Sequence, residues 1–306
     1  MKPENQQKGE PEAYIPQLLK PLKLPDLPPS VKTAAIQNNI NGGEEELPLT
    51  SPVWMPRLMY GTAGKGERTS HLVYEALRAG FRAIDTAAQP RWYDEAAVGR
   101  GIRRAVRDGV VRREDLFIQT KFTPFQNDPP ADANTTTTNN NNQNLNLPYD
   151  PTQTPSDQVR ASVQSSLQHL GSPLDCVVLH RVPSKQRTDA FHAVWGALEA
   201  FVLSGHVRRL GVSGVSLDSY DDDDDDIEAA EEEKGEEEED GEGNSNGKPI
   251  INSTTTTTSK IRIPPSIVQN AFHGGDAAAH FEADLRTSLR RRGVVFQAYH
   301  HYHRYH

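Results

Sequence analysis

The sequence predicts an α/β fold of the (β/α)8 barrel type, with seven of the eight strands present, on three observations. A unit of amphipathic helix, glycine and short apolar run recurs along the chain. Strands that alternate with helices pair in parallel through right-handed crossovers. Reactive side chains collect at the C-terminal ends of those strands, where a barrel of this type builds its site.

The elements follow in order. The run RLMYGTA at 57–63 is the first strand. Val73, Ala76 and Leu77 mark one face of a helix that stops at Gly80, before the strand FRAIDTA. Val98, Ile102, Ala105 and Val106 form a second stripe, ended by Gly109 ahead of LFIQTKF. Ser156 is the expected N-cap of a third helix, bearing Val159, Val163, Leu167 and Leu170; Gly171 then precedes LDCVVLH. Phe191, Val194, Trp195, Leu198 and Val202 lead through Gly205 to VRRLGVS. The segment SIVQNAF is the sixth strand, and Phe281, Leu285 and Leu289 lead through Gly293 to the seventh, VVFQAY. Helical spacing, a closing glycine and then a short apolar run is the repeated signal. A doubly wound open sheet shares it, but GTAGKGERT after the first strand lacks G-x-G-x-x-G spacing.

Three polar tracts interrupt the pattern. Residues 1–50 are expected to be a mostly disordered leader, with PLKLPDLPP partly extended against a body spanning 51–306. Low-complexity insertions are expected at 127–158, with its Thr135–Thr138 and Asn139–Asn142 runs, and at 218–260. Between Asp218 and Glu242 lie 17 acidic residues and one lysine, whereas the rest of the chain carries 32 basic and 25 acidic residues. The net charge of −9 therefore describes one solvated tract, and the body is mildly basic. Such a body suits an anionic small molecule, and the acidic tract suits a basic protein partner. No nucleic-acid partner is expected. No stretch reaches the roughly 20 apolar residues of a membrane span. The N-terminus lacks the apolar core of a secretory signal, and the single cysteine, Cys176, excludes an internal disulfide framework. A cytoplasmic protein is the expectation, with Cys176 as inert packing in an apolar strand.

Asp85, Lys121, His180, Ser213, Gln269 and Tyr299 each stand at or near the C-terminal end of a predicted strand. Singly, each has a structural rival: Asp85 closing a turn, His180 a satisfied buried histidine, Tyr299 filling core. Taken in order, GFRAIDTA, WYDEAAVGRGI, QTKF, VVLH, GHVRRLGVS, SIVQN and QAY resemble the motifs of the aldo-keto reductase family. The similarity is closest to a fungal-type branch in which AIDTAAQP precedes the tyrosine. It covers about 53–125, 156–217 and 264–299.

The resemblance implies an NADP-dependent oxidoreductase that moves a hydride from NADPH to a small-molecule aldehyde or ketone, without a metal. It implies Tyr93 as proton donor, with Lys121 lowering the tyrosine's titration and Asp85 holding the lysine's charge. His180 would orient the carbonyl. Ser213 and Gln269 would grip the nicotinamide carboxamide, and Tyr299 would stack on its ring. Trp92 would line the substrate mouth.

Departures from the family pattern accompany the resemblance. Tyr93 follows Asp85 by eight residues, more than is common, and Gly214 replaces the asparagine usual after the GVS serine. Asp221–Asp226 stand where an outer helix belongs, and poly-aspartate repels itself and forms helix poorly. After Tyr299 the chain reads HHYHRYH, with no eighth strand. Without the three tracts 181 residues remain, against about 250 for a typical barrel. The alternative expectation is thus a truncated, catalytically impaired or partner-binding module of the same family.

Overall fold

The computed structural model describes residues 20–33, 51–124, 147–181, 189–216, 261–272 and 282–299. The acidic tract, both threonine runs, the asparagine run, Phe281 and the terminal histidines lie outside these residues.

Seven parallel strands form one sheet whose spatial order is their chain order: β3 (Tyr60–Gly61), β4 (Ala83–Asp85), β5 (Phe117–Phe122), β6 (Leu174–Leu179), β7 (Val207–Ser213), β8 (Ile267–Ala271) and β9 (Val295–Tyr299). Among the described residues five helices lie between them: α1 (Thr69–Arg78), α2 (Glu95–Arg107), α3 (Pro155–Leu170), α4 (Asp189–Leu203) and α5 (Ala283–Arg291). The order excludes a doubly wound sheet, whose strand order reverses at a switch point.

The sheet is curled. Gln119 of β5 and Gln297 of β9 hydrogen-bond at 3.0 Å, and Gln269 of β8 reaches Asp85 of β4 at 3.3 Å. Each pair is four strand positions apart, about 19 Å in a flat sheet. Only a sheet rolled around an interior brings such side chains into contact, so this is the incomplete barrel that the strand count predicts. Among the described residues β3 and β9 are each paired on one side.

Strand alternation produces two cores. Outward residues such as Ile84, Ile118, Val177, Leu210 and Val268 pack with the helix stripes, while Ala83, Phe117, Cys176, Val178 and Ile267 fill the interior. Below the interior, β1 (Leu22–Lys23) and β2 (Trp54–Met55) form a two-stranded antiparallel floor. Leu24, Val53 and Met55 close the base of the barrel, and Leu27 and Val31 join the outer core. Arg209 is buried in this floor and donates to the Pro25 carbonyl at 2.8 Å. Burial and the neighbouring Arg208 bring its guanidinium down to about 10.

Several local expectations are sharpened. Helix α3 begins one residue before Ser156, because Pro155 has a fixed φ and no amide hydrogen to leave unsatisfied. Its N-cap is Thr154, whose hydroxyl accepts from the Asp157 amide at 3.2 Å. Ser156 instead donates to the Ala193 carbonyl of α4 at 3.0 Å. Val106, grouped above with the buried stripe of α2, is exposed in the last turn of that helix. On α4, Glu199 accepts from the amides of Arg262 and Ile263 at 2.7 and 2.8 Å, which anchors the chain just before β8.

Helix α2 sits close to both neighbours through Gly99 and Gly101. A Cβ on Gly101 would stand 2.6 Å from the Ser70 carbonyl oxygen, and one on Gly99 would collide with the His169 carbonyl. Alanine normally stabilises a helix interior over glycine by about 1 kcal/mol. Gly99→Ala should reverse that sign and destabilise the fold by about 1–3 kcal/mol. An unchanged or higher urea midpoint would show that the α2–α3 contact yields without cost.

Candidate active site

The C-terminal ends of β4 and β5 meet in an ion pair. Lys121 Nζ donates to both oxygens of Asp85, at 2.6 and 2.7 Å, and to the Thr86 carbonyl at 3.0 Å. Lys121 is 2% exposed, so its charge is neutralised inside the barrel rather than by water. The register explains the meeting: Asp85 lies opposite Gln119, so Lys121, two residues on, projects inward one layer higher.

Tyr93 comes from the loop between β4 and α2, and backbone bonds shape that loop. Thr86 and Ala88 amides donate to the Gln119 and Lys121 carbonyls at 3.0 and 2.9 Å. Trp92 and Tyr93 amides both donate to Gln89, and Asp94 caps α2 through the Ala97 amide at 2.8 Å. The eight-residue spacing is thus taken up by a turn at 90–92 before the cap. It leaves Lys121 Nζ 5.7 Å from the centre of the Tyr93 ring. His180, directly after β6, faces that ring edge-on with centroids 6.4 Å apart.

The expected influence of Lys121 on Tyr93 is not what the structure supports. Burial, then the Asp85 carboxylate and Tyr299, push the Tyr93 hydroxyl above its ordinary value. Lys121 is already spent on Asp85, so little net positive charge faces the phenol, and desolvation decides. Asp85→Asn should therefore lower the Tyr93 titration, since it removes the carboxylate and leaves the ammonium unneutralised. Ultraviolet titration of tyrosinate, with Tyr93→Phe as the reference, reads this directly. An unmoved titration would mean that burial alone sets it.

Among the remaining expected residues, Ser213 and Gln269 are register partners on β7 and β8, and Tyr299 ends β9 opposite Ala271. Gln269 joins the ion pair through its bond to Asp85. Ser213 is linked to it by strand pairing, not by a side-chain hydrogen bond. Trp92 is 55% exposed, with the Arg91 guanidinium 5.2 Å over its ring. Cys176 is fully enclosed, and burial raises its thiol far above the reactive range. Among the described residues no cluster of three or more histidine, cysteine or acidic side chains is arranged to hold a metal. Likewise none of their helices is long and apolar enough to cross a membrane.

Sequence reasoning missed the residues that hold these groups. Thr123 Oγ1 lies 2.7 Å from His180 Nδ1, and the Tyr149 hydroxyl donates to the Thr123 carbonyl at 2.6 Å. Asn270 Oδ1 accepts from the amides of Gly214 and Val215, at 3.0 and 3.1 Å, and fixes the turn after Ser213. Gly214 has φ 70° there, a conformation suited to glycine. Glu95, buried at the start of α2, accepts from Thr120 and Ser166 and lies 4.0 Å from His169, whose imidazole it holds above its usual value. Thr123 adjoins the QTKF motif, so its place was readable; Tyr149 falls in a tract that sequence alone assigned to an insertion.

Comparison with known proteins shows the family and the fold. The family model described as "Aldo/keto reductase family" matches residues 57–230, more than half of the chain. The aldo-keto reductase AKR2E4 of Bombyx mori is 30% identical over 162 residues, covering 50% of this chain and 43% of that protein. A probable NAD(P)H-dependent D-xylose reductase of Arthroderma otae is 38% identical over 82 residues, 26% of this chain and 24% of the relative. The chain thus spans less than half the length of these curated relatives. Among solved structures, the aldose reductase of Schistosoma japonicum superposes with a TM-score of 0.52 at 19% identity, over 81% of this chain and 66% of that one. At that identity the likeness speaks for the fold, and it agrees with the curled parallel sheet. By the extent of the family match, the chain belongs to the aldo/keto reductase family.

Proposed function

We propose that the chain is an NADP(H)-dependent carbonyl reductase in which Tyr93 donates a proton to the oxygen of an aldehyde or ketone. The observation that carries this reading is the buried Asp85–Lys121 pair, with Tyr93 and His180 gathered beside it at the C-terminal mouth of the sheet. Converting a carbonyl to an alcohol leaves negative charge on oxygen, and a positioned acid speeds such a step by about 10²–10⁴-fold. The Tyr93 hydroxyl keeps its proton across the working range, as a donor must, and its burial makes it a weaker acid than free tyrosine.

Lys121 and Asp85 then act by holding a fixed dipole beside the phenol, and His180 by hydrogen-bonding the carbonyl oxygen. Bound nicotinamide supplies the hydride. Ser213 and Gln269 are the residues that would hold its carboxamide, and Tyr299 its ring. The donor set supports that fit, a hydroxyl and a carboxamide being suited to an amide. The turn beside them is open, since a Cβ on Gly214 meets nothing within 4 Å. Named relatives point the same way: the Arthroderma protein is called NAD(P)H-dependent, and a solved aldo-keto reductase, AKR2E5, is complexed with NADPH.

Titration with NADPH, followed by cofactor fluorescence, tests the reading together with aldehyde-dependent NADPH oxidation. Saturable binding and turnover are expected. With Tyr93 as donor, reduction persists below its titration and is lost as pH rises through it, so the alkaline fall sets in above about 10, the ordinary tyrosine value. Absence of binding and of turnover would overturn the proposal.

A further inference from the structure

Three glutamines occupy the barrel interior beneath the Asp85–Lys121 pair. Gln119 and Gln297 bond reciprocally, Nε2 to Oε1, at 3.0 and 3.1 Å. Gln269 Nε2 also donates to Gln297 Oε1, at 3.1 Å. Above them, Gln119 and Gln269 each direct Nε2 at a different oxygen of Asp85, at 2.8 and 3.3 Å. Below, Gln297 Nε2 lies 2.9 Å from the Met55 sulfur of the floor and 3.3 Å from that of Met59. All three glutamines are at least nine-tenths buried.

An apolar barrel layer would pack as well, so three buried carboxamides call for a reason beyond filling space. Each must be satisfied by the others, because an unmet buried donor is costly. The arrangement meets that condition while linking the neighbours β4 and β5 to the neighbours β8 and β9, two pairs that the sheet itself joins only the long way round. Its upper end is the carboxylate that holds Lys121.

The geometry points to Gln297 and Gln119 as positioning residues, a strut across the barrel in which Gln119 bonds the Asp85 carboxylate and Gln297, a hub that touches neither Asp85 nor Lys121, holds it in place. In catalysis this rests on the carbonyl-reductase reading; the strut itself is readable without turnover. Two side-chain torsions, χ1 and χ2, set where the Asp85 oxygens point. Two carboxamide donors, Gln119 from the neighbouring strand and Gln269 from across the interior, hold the carboxylate, and Gln297 holds the donors. Gln297 also lies two residues before Tyr299, so the same hub ties β9 to the wall that carries the ion pair.

The test is pulse acylation of the full chain with acetic anhydride, with each lysine read by peptide mass spectrometry. Gln297→Met keeps the length of the side chain and packs against the floor sulfurs but cannot hold the carboxamides. It should raise Lys121 labelling by about tenfold through local opening, with Lys23 and Lys65 unchanged. Gln119→Met should do the same. Backbone exchange at Val177 and Val178 should not move, which separates a loosened pair from a loosened fold. Lys121 labelling that stays at the unsubstituted level in Gln297→Met overturns the inference. So does labelling that rises only together with exchange at Val177 and Val178. Should neither variant fold, the unsubstituted chain still decides: carboxamide protons of Gln119 and Gln297 must exchange at least about tenfold more slowly than those of exposed Gln164. NADPH titration of the same samples reads the carbonyl-reductase proposal separately.

Discussion

Tyr93→Phe is expected to lower kcat/KM for carbonyl reduction by about 10²–10⁴-fold, the range for removal of a positioned acid, while NADPH binding changes little. The substitution removes one oxygen and keeps the ring that packs edge-on against His180. It also removes no partner of the ion pair, whose three lysine bonds go to Asp85 and the Thr86 carbonyl. Steady-state kinetics with cofactor titration on the same sample separates the two effects. A variant with near-native turnover would show that water or His180 delivers the proton. The comparison is sharper at alkaline pH, where the native rate should fall through the Tyr93 titration and the residual rate of the variant should not.

Lys121→Met should have the largest effect on stability, a loss of about 3 kcal/mol in urea unfolding. That is the lower end for breaking a buried pair, for two reasons visible in the site. Asp85 keeps the carboxamide donors of Gln119 and Gln269, and 15% of its side chain is in contact with solvent. The double variant Asp85→Asn/Lys121→Met should recover part of the loss, since no uncompensated charge then remains inside. A loss below about 1 kcal/mol, the scale of exposed pairs, would mean that water reaches Asp85 freely. Activity should vanish in both variants whatever their stability, so the two measurements report on different properties of one contact.

The fold was legible because each unit repeats a short-range signal. A stripe such as Phe191, Val194, Trp195, Leu198 and Val202 states its helix and its buried face together, and all five are buried. Gly80, Gly109, Gly171, Gly205 and Gly293 mark the exits, each with positive φ. Apolar runs such as LDCVVL, buried at every position, identify interior parallel strands. Boundaries were less legible. Pro155 moved one helix cap by two residues, from Ser156 to Thr154, and Val106 sits on an apolar stripe yet meets solvent, because a periodic pattern does not say where the neighbouring element ends.

The candidate site was legible as a set of positions but not as a set of contacts. Alternation along the strands puts Asp85, Lys121, Ser213, Gln269 and Tyr299 on one face, and motif order links them to His180 and Tyr93. What the phenol experiences could not be read that way. Its raised titration depends on desolvation and on Lys121 already being neutralised, and both are properties of three-dimensional packing.

The order and type of the elements, their parallel pairing, and the strand ends that carry reactive groups are all written in the residue pattern. These follow from hydrophobic period and glycine punctuation, which act over a few residues. It takes the folded chain to curl the sheet until side chains of β5 and β9 touch, to bring Gln119, Gln269 and Gln297 together beneath Asp85, and to lay residues 20–33 into a floor under them. Contacts between residues as far apart as Gln119 and Gln297 have no local signature. They arise from strand twist summed over five strands, and that sum is what turns a row of side chains into a site.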